Sequence, residues 1–294
     1  MYYFLAITAI YILMSWSIYL PYRMGQLHFM TVANMAISAY FAAYASIHWG
    51  WPFILVLIVG TGLGALIGYL VSFAIGDAPC FAVVIVGFTF IYITKTVIEN
   101  TEALGGPLGI FSIPKILEDA SANRSLVLSL SYFFVLLVGI LIHRFEHSKL
   151  GRAASSVFID RDLAASFGVN VKKMGQFLQT AASALGGLSG VMYTFIMRSL
   201  SPNHFTFHII GICMTMLFVG GYSTIWGVVL AAPILWGGPL IFPDAVQSWR
   251  IVIYGSLLIL ILVLKPEGII TRRLVKSIEL KLRKRIKKYF VKSP

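Results

Sequence analysis

His204-Phe-Thr-Phe-His208 sets two potential metal ligands at helical spacing. Two imidazoles at i and i+4 share a helix face, and zinc binds such pairs when a third and fourth ligand complete the shell. No third ligand is in view, so the two are expected as interface histidines near the outer end of a span, with no metal site. Cys80 and Cys213 lie apart in apolar runs, where thiols serve as small packing residues. Nucleotide and acyl chemistry are missing as well. There is no Gly-Lys dipeptide and hence no Walker A loop, and no HExxH, CxxC or GxSxG. No catalytic residue and no cofactor is therefore assigned to this chain.

Charge inside apolar runs is costly in lipid and marks function. Lys95 and Arg198 lie near run ends, from which their long stems can snorkel, and Asp77, Glu99 and Asp244 sit at run termini. An ion-gradient-driven carrier, the alternative reading, would show an embedded carboxylate or charged relay. With neither present, any transport is expected to draw its energy from another subunit. A membrane scaffold or membrane-embedded enzyme would need a polar cluster beyond the His204/His208 pair.

The elements holding these residues follow from composition. Of 294 residues, 59% are hydrophobic and 12% charged, against roughly 45–50% and 25% in soluble domains. Apolar stretches near 3–20, 27–47, 52–75, 79–98, 126–143, 175–197, 207–221, 225–242 and 249–265 approach the length of about 20 residues that a bilayer needs. The expected fold is all-α: a polytopic transmembrane helical bundle of eight to ten membrane segments over residues 1–270, some broken or half-crossing. A basic tail follows at 271–294, with Leu274, Ile278, Leu282 and Ile286 spaced for an interfacial helix.

The net charge of +12 is concentrated. Seventeen of the 23 Lys and Arg fall in 144–173 and 265–294, whereas loop 99–125 carries Glu99, Glu102, Glu118 and Asp119 against Lys115 and Arg124. The positive-inside rule then makes 144–173 and the C-terminus cytoplasmic and 99–125 extracytoplasmic. The run Lys281-Leu-Arg-Lys-Arg-Ile-Lys-Lys288 is expected against anionic lipid headgroups, with no nucleic-acid partner. The first stretch has Arg23 after it and no basic segment before it, so it is expected as a retained span with its N-terminus outside.

Two small-residue patterns predict close helix contacts: Gly60-Thr-Gly-Leu-Gly64-Ala-Leu-Ile-Gly68 and Gly186-Gly187-Leu-Ser-Gly190. Between two spans, 148–173 predicts a short helix with an apolar side of Ala153, Ala154, Val157, Phe158 and Ile159. The charges Asp160-Arg161-Asp162 follow, then a second turn through Ala164, Ala165 and Phe167, stopped by Gly168. Such an amphipathic element suits docking into a groove on a partner protein.

The blocks Gly151-Arg152-Ala153, Asp160-Arg161-Asp162-Leu163-Ala164-Ala165, Phe167-Gly168-Val169-Asn170-Val171 and Ala181 to Gly190 stand in fixed order. Leu104-Gly105-Gly106-Pro107-Leu108-Gly109-Ile110 precedes them, and Gly220 to Gly227 and Lys265-Pro266-Glu267-Gly268 follow. From about Gly25 to Gly268 this resembles the LivM/LivH-type permeases of ABC importers for branched-chain amino acids and related amides, closer to LivM. The resemblance implies a multi-pass protein of a bacterial inner membrane and a small hydrophilic solute such as a branched-chain amino acid, amide or urea. It implies a second permease (LivH-like, or a second copy of this chain), two ATP-binding cassette subunits that carry ATP and Mg, and a periplasmic or lipid-anchored binding protein.

Residue by residue, it implies that Arg152, Phe158, Asp160, Arg161, Asp162, Ala164, Ala165, Phe167 and Gly168 couple to the ATP-binding subunit. Gly105, Gly106, Pro107 and Gly109 would face the binding protein, and Gln26, His28, Thr31, Asn34, Thr89 and Phe90 would line the pathway. Two departures stand out. Gly25-Gln26-Leu27 is followed by His28-Phe29-Met30-Thr31 where the family has Ser-Leu-Gly-His or Asn-Phe-Ala-His, and Phe90 stands where a Glu is common. Either a divergent substrate or packing drift accounts for both.

Overall fold

A computed structural model of the protein describes residues 2–241, 249–265 and 268. The helices are α1 (Tyr2–Tyr22), α2 (Thr31–His48), α3 (Phe53–Ile75), α4 (Cys80–Glu99), α5 (Ala120–His147), α6 (Lys149–Ile159), α7 (Arg161–Ser166), α8 (Val171–Met197), α9 (Phe207–Gly220), α10 (Ile225–Ile241) and α11 (Arg250–Leu264). No strand occurs among the described residues, and six helices are long and apolar enough to cross a membrane. The all-α polytopic expectation holds. The expected interfacial helix of the tail lies outside the described residues.

The chain divides into two compact units, Met1–Met214 and Thr215–Pro294. In the first, α8 is the hub, packed against α1, α2 and α3, while α5 lies on α1. Helices in lipid gain nothing from hiding apolar surface, so small residues that let backbones approach decide the contacts. The two glycine patterns turn out to meet each other. A Cβ on Gly64 would stand 2.9 Å from the Gly187 Cα, one on Gly68 would collide with Ser183, and one on Gly60 would stand 2.6 Å from Val191. Ser38 of α2 joins the seam by donating to the Gly60 carbonyl at 2.8 Å. The opposite face of α3, with Ile54, Ile58, Leu66, Leu70 and Phe73, is exposed in this chain.

In the second unit, the two closing motifs come together. A Cβ on Gly220 would collide with the Gly227 carbonyl, and Gly268 lies against Gly221, its own Cβ position 2.6 Å from the Phe218 carbonyl.

The apolar run 27–47 is not helical throughout. Residues 23–30 form a turn and an extended stretch, and α2 begins only at Thr31. Gly25 at φ +82° starts the break, and the amide of Gln26 caps the end of α1 at the Pro21 carbonyl, 3.1 Å away.

Candidate functional site

The broken stretch climbs alongside α8. Gln179 donates to the Gln26 side-chain oxygen at 2.8 Å, His28 Nε2 lies 3.1 Å from Ser183 Oγ, Thr31 backs onto Gly186, and Met35 onto Gly190. One turn higher, Thr194 donates to the Ala39 carbonyl at 3.0 Å. Non-helical backbone survives beside a spanning helix only where protein or a cavity covers it. Here the cover is α8, with α4 from the other side, where Gly87 leaves room for Phe29 and Met30.

Gln26 ties three elements. Besides Gln179 it donates to the Ala78 carbonyl at 2.9 Å and to Gly76 at 3.4 Å, so the α1–α2 and α3–α4 connections share one knot against α8. Gln26, His28, Thr31 and Asn34 are all buried. His28 Nδ1, Thr31 Oγ1 and both amide atoms of Asn34 have no hydrogen-bond partner. A buried unpaired polar group costs about 1–3 kcal/mol, and here four such atoms are concentrated on seven residues. Thr89 and Phe90 do not join them. Val83, Gly87, Ile91, Thr94 and Ile98 are the buried face of α4, which leaves Thr89 exposed on the other side and Phe90 on its flank.

α6 and α7 form a hairpin built by side-chain caps. The Ser148 hydroxyl accepts from Gly151 N at 3.1 Å, Asp160 Oδ1 from Leu163 N at 2.9 Å, and Asn170 Oδ1 from Lys173 N at 2.9 Å. Gly168 at φ +86° closes α7 with paired bonds, its own amide to the Ala165 carbonyl and that of Val169 to Ala164, as expected of a left-handed helix stop.

The hairpin is anchored to the broken stretch. Arg23 donates to Ser155 Oγ at 2.7 Å, the rings of Tyr22 and Phe158 meet at 5.7 Å, and Arg161 reaches the Asp77 carbonyl. The apolar side expected of α6 splits in two. Ala154 and Val157 face inward with Ala164, whereas Ile159 is 83% exposed, Phe167 82%, and Leu163 and Phe158 about half. Arg152, Asp160, Asp162, Ala165 and Gly168 are exposed around them, and Arg161 is half-buried. Sequence reasoning missed Leu163 as part of this outward face, although its place three residues before Ser166, on a turn with Phe167 at i+4, is the signal.

At the other end of α8 lies the Gly105-Gly106-Pro107 loop. Gly105, Gly106 and Gly109 have φ of +79°, +55° and +87°. Ile110 and Leu200 exchange backbone bonds of 2.9 and 2.8 Å, which fix the loop to the chain leaving α8. Arg198 continues the join by donating to the Ile113 carbonyl at 3.0 Å. Asp119 caps α5, and its bonds from the Ser121 hydroxyl and amide hold its carboxyl below the usual range. Gly105, Pro107 and Leu108 are exposed, Gly109 and Gly106 are not.

His204 and His208 do not share a helix. His204 ends the 3-10 turn Pro202–His204 and His208 lies in α9, so their spacing is not that of a ligand pair. No group of three metal-ligating side chains occurs among the described residues. Both imidazoles instead line a cavity of about 230 Å³ with Tyr11, Met14, Met35 and Tyr193.

Residues 1–262 match a family model described as branched-chain amino acid transport system / permease component. Over 264 residues the chain is 27% identical to the high-affinity branched-chain amino acid transport system permease protein LivM of Escherichia coli (strain K12), covering 80% of this chain and 61% of that protein. It is 26% identical to the LivM protein of Salmonella typhimurium, with the same shares covered. The chain thus spans about three-fifths of the length of the curated relatives it matches. No solved structure matches it.

Proposed function

The chain belongs to the family of permease components of branched-chain amino acid transport systems, and on that premise we propose that it is the transmembrane permease subunit of an ABC importer. It moves a small hydrophilic solute, a branched-chain amino acid or related amide, across a bacterial inner membrane by alternating between outward- and inward-facing states. The observation that carries the coupling half of this reading is the capped α6–α7 hairpin. It presents Ile159, Leu163 and Phe167 to solvent among Arg152, Asp160 and Asp162, a surface suited to a groove on another protein. Under this reading the hairpin and the C-terminus are cytoplasmic, and the Gly-Gly-Pro loop meets the soluble binding protein.

The partners are two ATP-binding subunits, which hold ATP and Mg, and a second permease, either LivH-like or another copy of this chain. The absence of a Walker A loop in the sequence supports placing hydrolysis on those subunits. The knot at Gln26 supplies a physical route for coupling. A push on α6 reaches Tyr22 and Arg23 directly, and three residues later the same backbone holds α3, α4 and α8 together.

Purification of the complex from its native membrane tests this reading. ATPase subunits should co-purify with the chain, and solute-linked ATP hydrolysis should fall to the unstimulated rate in the Asp160→Lys, Asp162→Lys variant. Recovery of the chain alone, with uptake that follows an ion gradient, would refute it.

A further inference from the structure

The cavity under the 203–209 segment shares no lining residue with the α6–α7 hairpin or the knot at Gln26. It holds about 230 Å³ and is divided by chemistry. Its floor is apolar and packed, with Ile10, Met14 and Met35 buried. Its rim is polar and open: Asn203, His204 and His208 are exposed. The Tyr193 ring also lines it, 6.0 Å from the His204 ring. No Asp, Glu, Lys or Arg lines it.

Two connections make this more than a surface dent. The rim follows directly on Leu200, which is bonded through its backbone to Ile110 at the end of the Gly-Gly-Pro loop. At the floor, Met35 is preceded on α2 by Asn34, whose amide is buried with neither atom bonded. Further down α8, the Thr31 hydroxyl and His28 Nδ1 are likewise buried without a partner, His28 Nε2 being held by Ser183. Unpaired polar atoms therefore start on the residue next to one that lines the cavity.

We propose that this cavity is the receiving site for a small amphipathic solute, an amino acid or amide with a short branched apolar end. The proposal rests on the permease reading and adds to it a location and an orientation. The apolar end seats on Ile10, Met14 and Met35, where removal from water is favourable. The head group stays at the rim, within reach of His204, His208 and Tyr193. A wholly polar solute such as urea would have to give up hydration against an apolar floor with no hydrogen bond in return, which excludes it. The absence of fixed charge suits a zwitterion or neutral amide over an ion, and permits release toward Asn34.

The test uses the complex reconstituted in proteoliposomes, with Cys80→Ser and Cys213→Ala as background and His204→Cys or Asn203→Cys as reporters. Both reporter positions are exposed, and using two keeps the result independent of how either variant folds. A membrane-impermeant maleimide should label both. L-leucine or isobutyramide, at about ten times its dissociation constant, should slow that labelling about tenfold by simple occupancy. Urea should not slow it, and Lys115→Cys, away from the cavity, should label at the same rate with every solute. Equal labelling with and without L-leucine and isobutyramide, equal protection by urea, or no labelling at either position would overturn the proposal. Co-purification is read on the same preparation. Protection without ATPase subunits would sink the importer reading and keep the site, and ATPase subunits without protection would do the reverse.

Discussion

The Gly-Gly-Pro loop and the α6–α7 hairpin lie at opposite ends of α8, and each turns on a glycine with almost the same φ. Gly109 has φ +87° and Gly168 has φ +86°. Their surroundings differ completely. A Cβ on Gly109 would collide with the Leu200 carbonyl and stand 3.0 Å from the Ser201 Cα, whereas one on Gly168 would meet nothing within 4 Å. The loop is held by backbone against backbone, through the Ile110–Leu200 bridge and its glycines. The hairpin is held by side chains, through Ser148, Asp160, Asn170 and Arg23. A backbone-held surface keeps its shape as its exposed side chains change. A side-chain-held one can pivot on a few contacts, as a segment pushed by a partner must.

Three substitutions sharpen this contrast. Gly109→Ala adds a backbone collision to the strain of a positive-φ extended backbone, and about 3 kcal/mol of stability should be lost, read as a lowered Tm of the purified chain. A melting curve unchanged within error would mean that the bridge does not hold the loop. Gly168→Ala imposes only left-handed strain, without a collision, so about 1 kcal/mol is expected. If the two alanines cost the same, their surroundings do not matter and the comparison fails. Smallest in stability is Phe167→Ser, which removes an exposed ring and should change it by no more than about 0.5 kcal/mol. The same variant should lose solute-linked ATP hydrolysis in the assembled complex. A large drop in Tm would instead make Phe167 part of the fold.

Most of the helices were legible because apolar runs of bilayer length have few other outcomes. The stop at Gly168 was legible for the same kind of reason, since helix ends in the left-handed region favour glycine. The glycine patterns of α3 and α8 announced close contacts but not that they meet each other, because a small-residue stripe carries no label for its partner. The break at 23–30 was hidden. Leu27, Phe29 and Met30 are as apolar as any span, and the marks of the break are Gly25 and the buried polar partners of Gln26, which only the fold brings near. The facing of Thr89 and Phe90, apart from the buried polar group, was hidden for a related reason. Resemblance fixes register along the chain, and the face a residue presents depends on where Gly87 lets α4 approach.

α1 is the longest consequence of these contacts. Its last residue, Tyr22, touches Phe158 of the hairpin, and its Ile10 and Met14 floor the cavity. Ile10 stands about 18 Å from Tyr22 along one helix, in whose last turn Pro21 leaves the Ser17 carbonyl without its i+4 donor. The same helix is thus a stiff rod with one end in the gearbox and its shaft forming the wall of a room. Whatever part of a shove at Tyr22 is not absorbed at Pro21 would be carried to Ile10. Under the permease reading, the room would then change size as a matter of leverage, on the microsecond-to-millisecond scale of helix displacement.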